Sequence, residues 1–160
     1  MGIVNNSVTY PAPDATQNLT VATTAYSIGD VVGGLLDLSI LCGPGGCGVI
    51  RQVMVADAAN QKEPYKLYLF DRKPTVIVDD AAFAPVIGDL QKLVGVIEIA
   101  AADYVTIGSL AYAIVPGKDI VSLEPVHHAT GQLWGYLVAT DTPDYAAATD
   151  LTLRVLGWKD

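Results

Sequence analysis

Apolar residues arrive along this chain in short bursts: Val31–Leu41, Val49–Val55, Leu67–Phe70, Leu93–Ile99, Tyr104–Ile107, Ile120–Leu123, Leu133–Val138 and Leu151–Trp158. Gly, Pro, Asn or Asp stands in almost every gap. Bursts of this length, rich in β-branched and aromatic residues and bounded by turn formers, predict many short strands and an all-β sandwich or barrel. Gly33 and Gly34 inside the first strand predict a bulge, or a close approach by another backbone. Alternation assigns faces further on. Val49, Arg51, Val53 and Val55 share one side, and Ile50, Gln52, Met54 and Ala56 share the other. Neither side is uniformly polar, which suits an inner or an interface strand. From Pro64 onward Tyr65, Leu67 and Leu69 face one way, and Lys66, Tyr68 and Phe70 the other.

Only residues 79–95 leave room for helix. Asp79 and Asp80 can cap a short turn through Phe83 that Pro85 stops, and Asp89 can cap a second turn, Leu90–Val94, closed by Gly95. Turns are expected at 71–74, 100–103, 116–119, 129–131 and 141–150.

Residues 1–25 differ from the rest: they are polar, carry Asp14 as their one charge, and contain Pro11 and Pro13. Two prolines one residue apart hold the backbone extended and remove ladder donors. The reading is an extended N-terminal arm over 1–25, or a plain disordered terminus, followed by a β-sandwich domain over 26–160. A single domain of this length buries roughly 68–70% of its unfolded surface and needs no metal or disulfide to hold a core.

Composition sharpens the picture in one respect. Apolar residues are 51% of the chain but charged residues only 16%, against a usual value of about 25%. Part of that apolar excess is expected to face other subunits, with parts of 104–123 and 133–138 at the contact. The net charge is −8, and the nine basic residues are scattered, with only Arg72 and Lys73 adjacent. That pattern argues against nucleic acid and against anionic membrane surfaces as partners. The N-terminus has neither the basic nor the apolar segment of a signal peptide, and Asn6 breaks the myristoylation pattern begun by Met1-Gly2. Residues 38–50 and 104–117 are uncharged but shorter than a membrane span. The expectation is a product made in the cytoplasm.

Candidate chemistry is sparse. Cys42-Gly-Pro-Gly-Gly-Cys47 reads as two small apolar residues flanking a hairpin loop, or as a disulfide across it. A loop this short would gain only about 2 kcal/mol from closure. His127 and His128 would point to opposite faces of a strand and cannot easily share a metal. Asp79-Asp80 lacks the further oxygen ligands that calcium needs. Ile107-Gly-Ser-Leu-Ala-Tyr lacks the last glycine of a nucleophile elbow, and Gly43–Gly48 lacks the Lys of a phosphate loop. Glu98 and Glu124 could in principle form a carboxylate pair. Trp134 and Tyr136, with Tyr65 or Tyr68 on a neighbouring strand, could stack sugar rings, although core or interface is the commoner fate of such residues. No metal, no cofactor and no enzymatic activity are expected.

Several segments together are familiar: Tyr26-Ser-Ile-Gly-Asp-Val-Val-Gly-Gly, Leu67-Tyr-Leu-Phe-Asp with Lys73-Pro-Thr after it, Asp79-Asp-Ala-Ala-Phe, and Ala147-Ala-Thr-Asp-Leu-Thr-Leu-Arg-Val. In style and order over most of 26–160 the chain resembles small virion structural proteins of tailed bacteriophages, nearest to the capsid decoration, or cement, proteins. The resemblance implies a jelly-roll-like antiparallel β-sandwich that forms homotrimers on the outer surface of the phage head. Such trimers sit at three-fold and quasi-three-fold junctions of the major capsid protein. The arm, with Tyr10 and Leu19 as apolar anchors and Pro11 and Pro13 keeping it extended, would then lie on a sheet edge or in a groove between capsomers. The alternatives are a head-fibre base or tail protein, and a carbohydrate-binding module for host attachment.

Overall fold

In the computed structural model, residues 14–43, 46–47, 50–116 and 132–157 are described. Eleven strands lie among them: β1 (Asp14–Asn18), β2 (Val31–Asp37), β3 (Cys42–Gly43), β4 (Gly46–Cys47), β5 (Ile50–Asp57), β6 (Tyr65–Phe70), β7 (Leu93–Ile99), β8 (Tyr104–Ile107), β9 (Leu110–Pro116), β10 (Trp134–Ala139) and β11 (Leu151–Gly157). They build a five-stranded sheet, β1-β11-β5-β9-β8, and a four-stranded sheet, β2-β10-β6-β7, with β3 and β4 as a small separate ribbon. Every pairing is antiparallel. The chain is therefore an all-β sandwich, as its alternation predicts.

The order of strands has a simple logic. Leaving aside the ribbon and β8, the first strand pairs with the last, the second with the next to last, β5 with β9, and β6 with β7. One long hairpin, rolled up so that successive pairs fall in opposite sheets, produces that order. β8 is added at the end, folded onto β9 by the two-residue turn Gly108-Ser109. Gly108 has φ +65°, a backbone region that costs an L side chain energy.

The core lies between the sheets. Val53, Val55, Leu151, Leu153 and Val155 from one sheet meet Leu36, Leu67, Leu69, Ile97 and Leu137 from the other. Each strand supplies alternate residues, as a period of two requires. The glycine pair is a bulge: the β10–β2 register jumps from Tyr136↔Leu35 to Leu137↔Val32, so Gly33 and Gly34 are skipped. Their φ angles are +77° and +74°. A Cβ on Gly33 would stand 3.0 Å from Leu19, so the site is also a close approach.

That contact corrects the expected domain boundary at residue 26. Asp14–Asn18 is an edge strand of the five-stranded sheet, pairing with β11 through Ala15↔Val155 and Gln17↔Leu153. The Leu19 and Val21 amides then donate to the Leu151 and Ala148 carbonyls. Leu19, expected as an apolar anchor of the arm, is 3% exposed and belongs to the domain's own core. An edge strand needs only one apolar face, and Ala15 alone supplies it in Asp-Ala-Thr-Gln-Asn. Of the expected arm, residues 1–13 lie outside the described residues, Tyr10, Pro11 and Pro13 included.

The outer face of the four-stranded sheet carries a second apolar cluster of Val31, Phe70, Tyr136 and Val138, with Tyr68, Phe83 and Trp134 packed against it. Segment 71–92 crosses this face as a strap. The Tyr136 hydroxyl donates to the Thr75 carbonyl at 2.7 Å and accepts from the Ile77 amide at 2.9 Å. Phe83 lies 4.5 Å from Tyr68 and 5.6 Å from Tyr136, centroid to centroid. Strand β10 is covered on both sides, so residues 133–138, part of which is expected at a subunit contact, are buried within the chain itself apart from the half-buried Trp134.

Within the strap the helical expectation is only partly met. Asp79 and Asp80 form a turn and no helix. Asp79 instead accepts from the Tyr26 hydroxyl at 2.8 Å and from the Gly33 amide at 2.6 Å, tying the strap to the bulge. The one α-helical turn among the described residues is Ile87–Leu90, and Asp89 lies inside it with its side chain turned inward. Its carboxylate accepts from Lys92 Nζ at 2.8 Å and from the Thr75 amide at 3.1 Å.

The Lys92 hydrogen bond holds the Asp89 carboxyl below the usual aspartate range, against the opposing effect of burial. A carboxyl lowered in the folded state stabilises above its unfolded pKa, about 4, and loses that contribution as pH falls through its lower folded value. The melting-temperature advantage of the parent over Asp89→Asn is therefore expected to be full at neutral pH and to shrink below about pH 4. Thermal melts of both proteins between acid and neutral pH check this; an advantage independent of pH would contradict it.

Candidate assembly surface

Among the described residues, no segment covers the outer face of the five-stranded sheet. Strand register places its residues in rows: Thr152, Ala56, Tyr112 and Val105 in one, and Arg154, Met54 and Ile114 in the next, with Ile107 opposite Leu110 at the hairpin end. The face changes character across these rows. Its β1–β11 side is polar, with Arg154 Nη2 2.7 Å from Asp14 Oδ2. The Arg154 hydrogen bond holds the Asp14 carboxyl below its usual range. Both groups are partly exposed, so solvent leaves the pair little stabilising value.

The β8–β9 side is apolar and open. Val105 is 63% exposed, Ile107 62%, Leu110 49% and Ile114 42%. Residues 104–116 contain no Asp, Glu, Lys or Arg. β8 is also an edge strand, and β-rich sheets normally guard such edges with Lys, Pro, a bulge or an inward charge. Val105-Thr106-Ile107 has none of these. The expected contact over 104–123 thus coincides, for its described part, with the barest stretch of sheet among the described residues. Residues 117–123 lie outside them.

One end of the sandwich carries a cluster of phenols and acids. The Tyr65 and Tyr145 hydroxyls share a hydrogen bond, and Tyr104 Oη is buried with no partner. Burial raises all three phenols above the ordinary tyrosine value and keeps them neutral. Burial, then Asp141 and Asp57, raises the Glu63 carboxyl. The buried Asp57 carboxylate is occupied by the backbone amides of Ala59, Gln61 and Lys62. The Asp57 carboxylate thus holds its own loop, and the Tyr65 and Tyr145 hydroxyls hold each other.

Elsewhere, an open groove of about 320 Å³ runs beside β1, between Asp14, Thr16, Asp37 and Ile40. Gln17 Nε2 donates to the Asp37 carbonyl at 3.0 Å and ties β1 to the end of β2. Among the described residues no three His, Cys, Asp or Glu side chains are grouped to hold a metal. No described helix is long and apolar enough to cross a membrane.

The sequence-derived candidates scatter. Cys42 is disulfide-bonded, and its backbone stands directly across from that of Cys47, the other cysteine of the chain. Glu98 is exposed and 3.2 Å from Lys66. Glu124, His127 and His128 lie outside the described residues. Tyr65 belongs to the inner core, away from Trp134 and Tyr136. The latter two do share a face with Tyr68, but the strap covers that row, which is a packed cluster and no open platform for sugar rings. Trp134 is further shielded by Lys73 Nζ, 5.0 Å from its ring centroid. Comparison with known protein families, with characterised proteins and with solved structures finds no match.

Proposed function

We propose that this chain is a structural protein of a virion, without enzymatic activity, which binds the outer surface of a tailed-phage head as a homotrimer and strengthens the junctions of the major capsid protein. The observation that carries this reading is the uncovered, uncharged face of β8 and β9 on an otherwise acidic domain. A protein that worked alone would gain nothing from leaving such a face to water. The rolled-hairpin strand order supports the same reading: two four-stranded sheets with first-to-last pairing, plus β8, match the winding expected of a jelly roll. Net charge −8 suits a position facing solvent and away from nucleic acid.

Purified protein added to undecorated phage heads tests the reading. Saturable binding at hundreds of copies per head, with heads more resistant to heat or dilution, is the expected result. A few copies per particle would indicate a tail or fibre part, and no binding would defeat the proposal.

A further inference from the structure

We propose that the outer face of the β8–β9 hairpin, with Val105, Ile107, Leu110 and Ile114, is the surface on which copies of this chain meet one another around a shared symmetry axis. This deepens the reading of the chain as an assembly protein and names the partner of its open face.

Charge selects the occupant. Every copy carries −8, so copies repel wherever their acidic surfaces approach. The surface on which they join has to be the one that carries no charge. Residues 104–116 have none, and the adjoining outward positions of β5 are Gln52, Met54 and Ala56. A foreign partner would use charges to set register and exclude competitors, and this face offers none for it to read. Of the exposed apolar residues elsewhere, Val76, Val78, Ile87 and Leu90 are grouped on the strap, whose sequence also carries Asp71, Arg72, Lys73 and Asp80. That surface suits an unlike partner and not a copy.

Edge chemistry supplies the second argument. An unguarded β-branched edge such as Val105-Thr106-Ile107 invites strand addition without end. Closed symmetry, with the same hairpin of each copy turned toward one axis, covers the edge and stops growth.

The test compares molecular mass in solution at micromolar concentration, by sedimentation or native mass spectrometry. The full chain is measured beside Ile107→Asp/Ile114→Asp and a strap control, Val78→Asp/Ile87→Asp. The full chain and the strap control are expected to be oligomers of one size. The hairpin variant should assemble more weakly by on the order of a hundredfold or more, because like charges would face each other at the axis. A monomeric full chain, or a hairpin variant of unchanged mass, overturns the proposal. If the hairpin variant fails to keep the parent's circular dichroism, Ile107→Cys decides. A short bismaleimide should link it into covalent dimers while Val78→Cys stays single, and the reverse result overturns the proposal. An oligomer dissolved by the hairpin variant that never binds phage heads leaves this inference standing and removes the head-binding reading.

Discussion

Deleting residues 2–20 is expected to cost this protein about a third or more of its stability. The cut removes β1, whose five residues pair with β11, and Leu19, whose side chain packs on Gly33. Burying one leucine contributes about 1.5–3 kcal/mol, and each net hydrogen bond about 0.5–1.5 kcal/mol. Losing Leu19, Ala15 and a full strand ladder amounts to roughly 5 kcal/mol or more, out of a typical total of about 5–15. The melting temperature should fall by at least about 10 °C, or folding should fail. A deletion that stops at residue 12 spares every one of these contacts. Thermal melts of the two truncations check the expectation, and equal melting of the longer truncation and the full chain would contradict it. Any use of a 2–20 deletion to measure head binding would mix loss of the arm with loss of the domain, so the shorter cut is the informative one.

Asp57→Ala is expected to have the next largest effect. Asp57 closes β5 and is 1% exposed. One carboxylate oxygen accepts from the Ala59 amide at 2.9 Å, and the other from Gln61 at 2.7 Å and Lys62 at 2.9 Å. These bonds hold a loop in which Asn60 and Lys62 adopt φ of +55° and +61°, a region that side chains disfavour. Alanine leaves three amides without their acceptor, each worth about 1–3 kcal/mol if dry. Gln61 and Lys62 are only half-buried, so water recovers part of this. A net loss of about 3 kcal/mol follows, and Asp57→Asn, which keeps one acceptor oxygen, should fall between. Urea unfolding measures both, as a lower midpoint at an unchanged slope. A loss below about 1 kcal/mol for the alanine variant would mean that water replaces the carboxylate entirely.

Much of the candidate surface is legible in the amino-acid pattern. The uncharged alternation over 104–116 marks a strand pair with apolar side chains on both faces, and the low overall charge raises the expectation that one such face meets another subunit. Residues 133–138 carry the same apolar signal but have a different fate. Alternation states that both faces of β10 are apolar; it does not state whether the second face meets a partner or the chain's own strap. Here Tyr136 reaches Thr75 and Ile77, about sixty residues away in sequence, and the face is closed internally.

Strand class, most strand positions, the bulge at Gly33-Gly34 and the shortage of charge can all be read from the chain alone, because they follow from local periodicity, backbone permissiveness and composition. Three other outcomes come from the folded arrangement: β1 belongs to the sheet, Asp79 and Asp89 bind backbone amides of distant segments in place of capping helices, and one particular apolar face stays open. Each of them depends on contacts between residues far apart in the chain. An edge strand with one buried alanine, or a carboxylate that accepts from amides elsewhere in the chain, leaves no periodic trace in its own neighbourhood. The same holds for the open hairpin: Val105 and Ile107 are exposed because no other segment of the described chain crosses them, and pairing across the fold, not local pattern, settles where the strap lies.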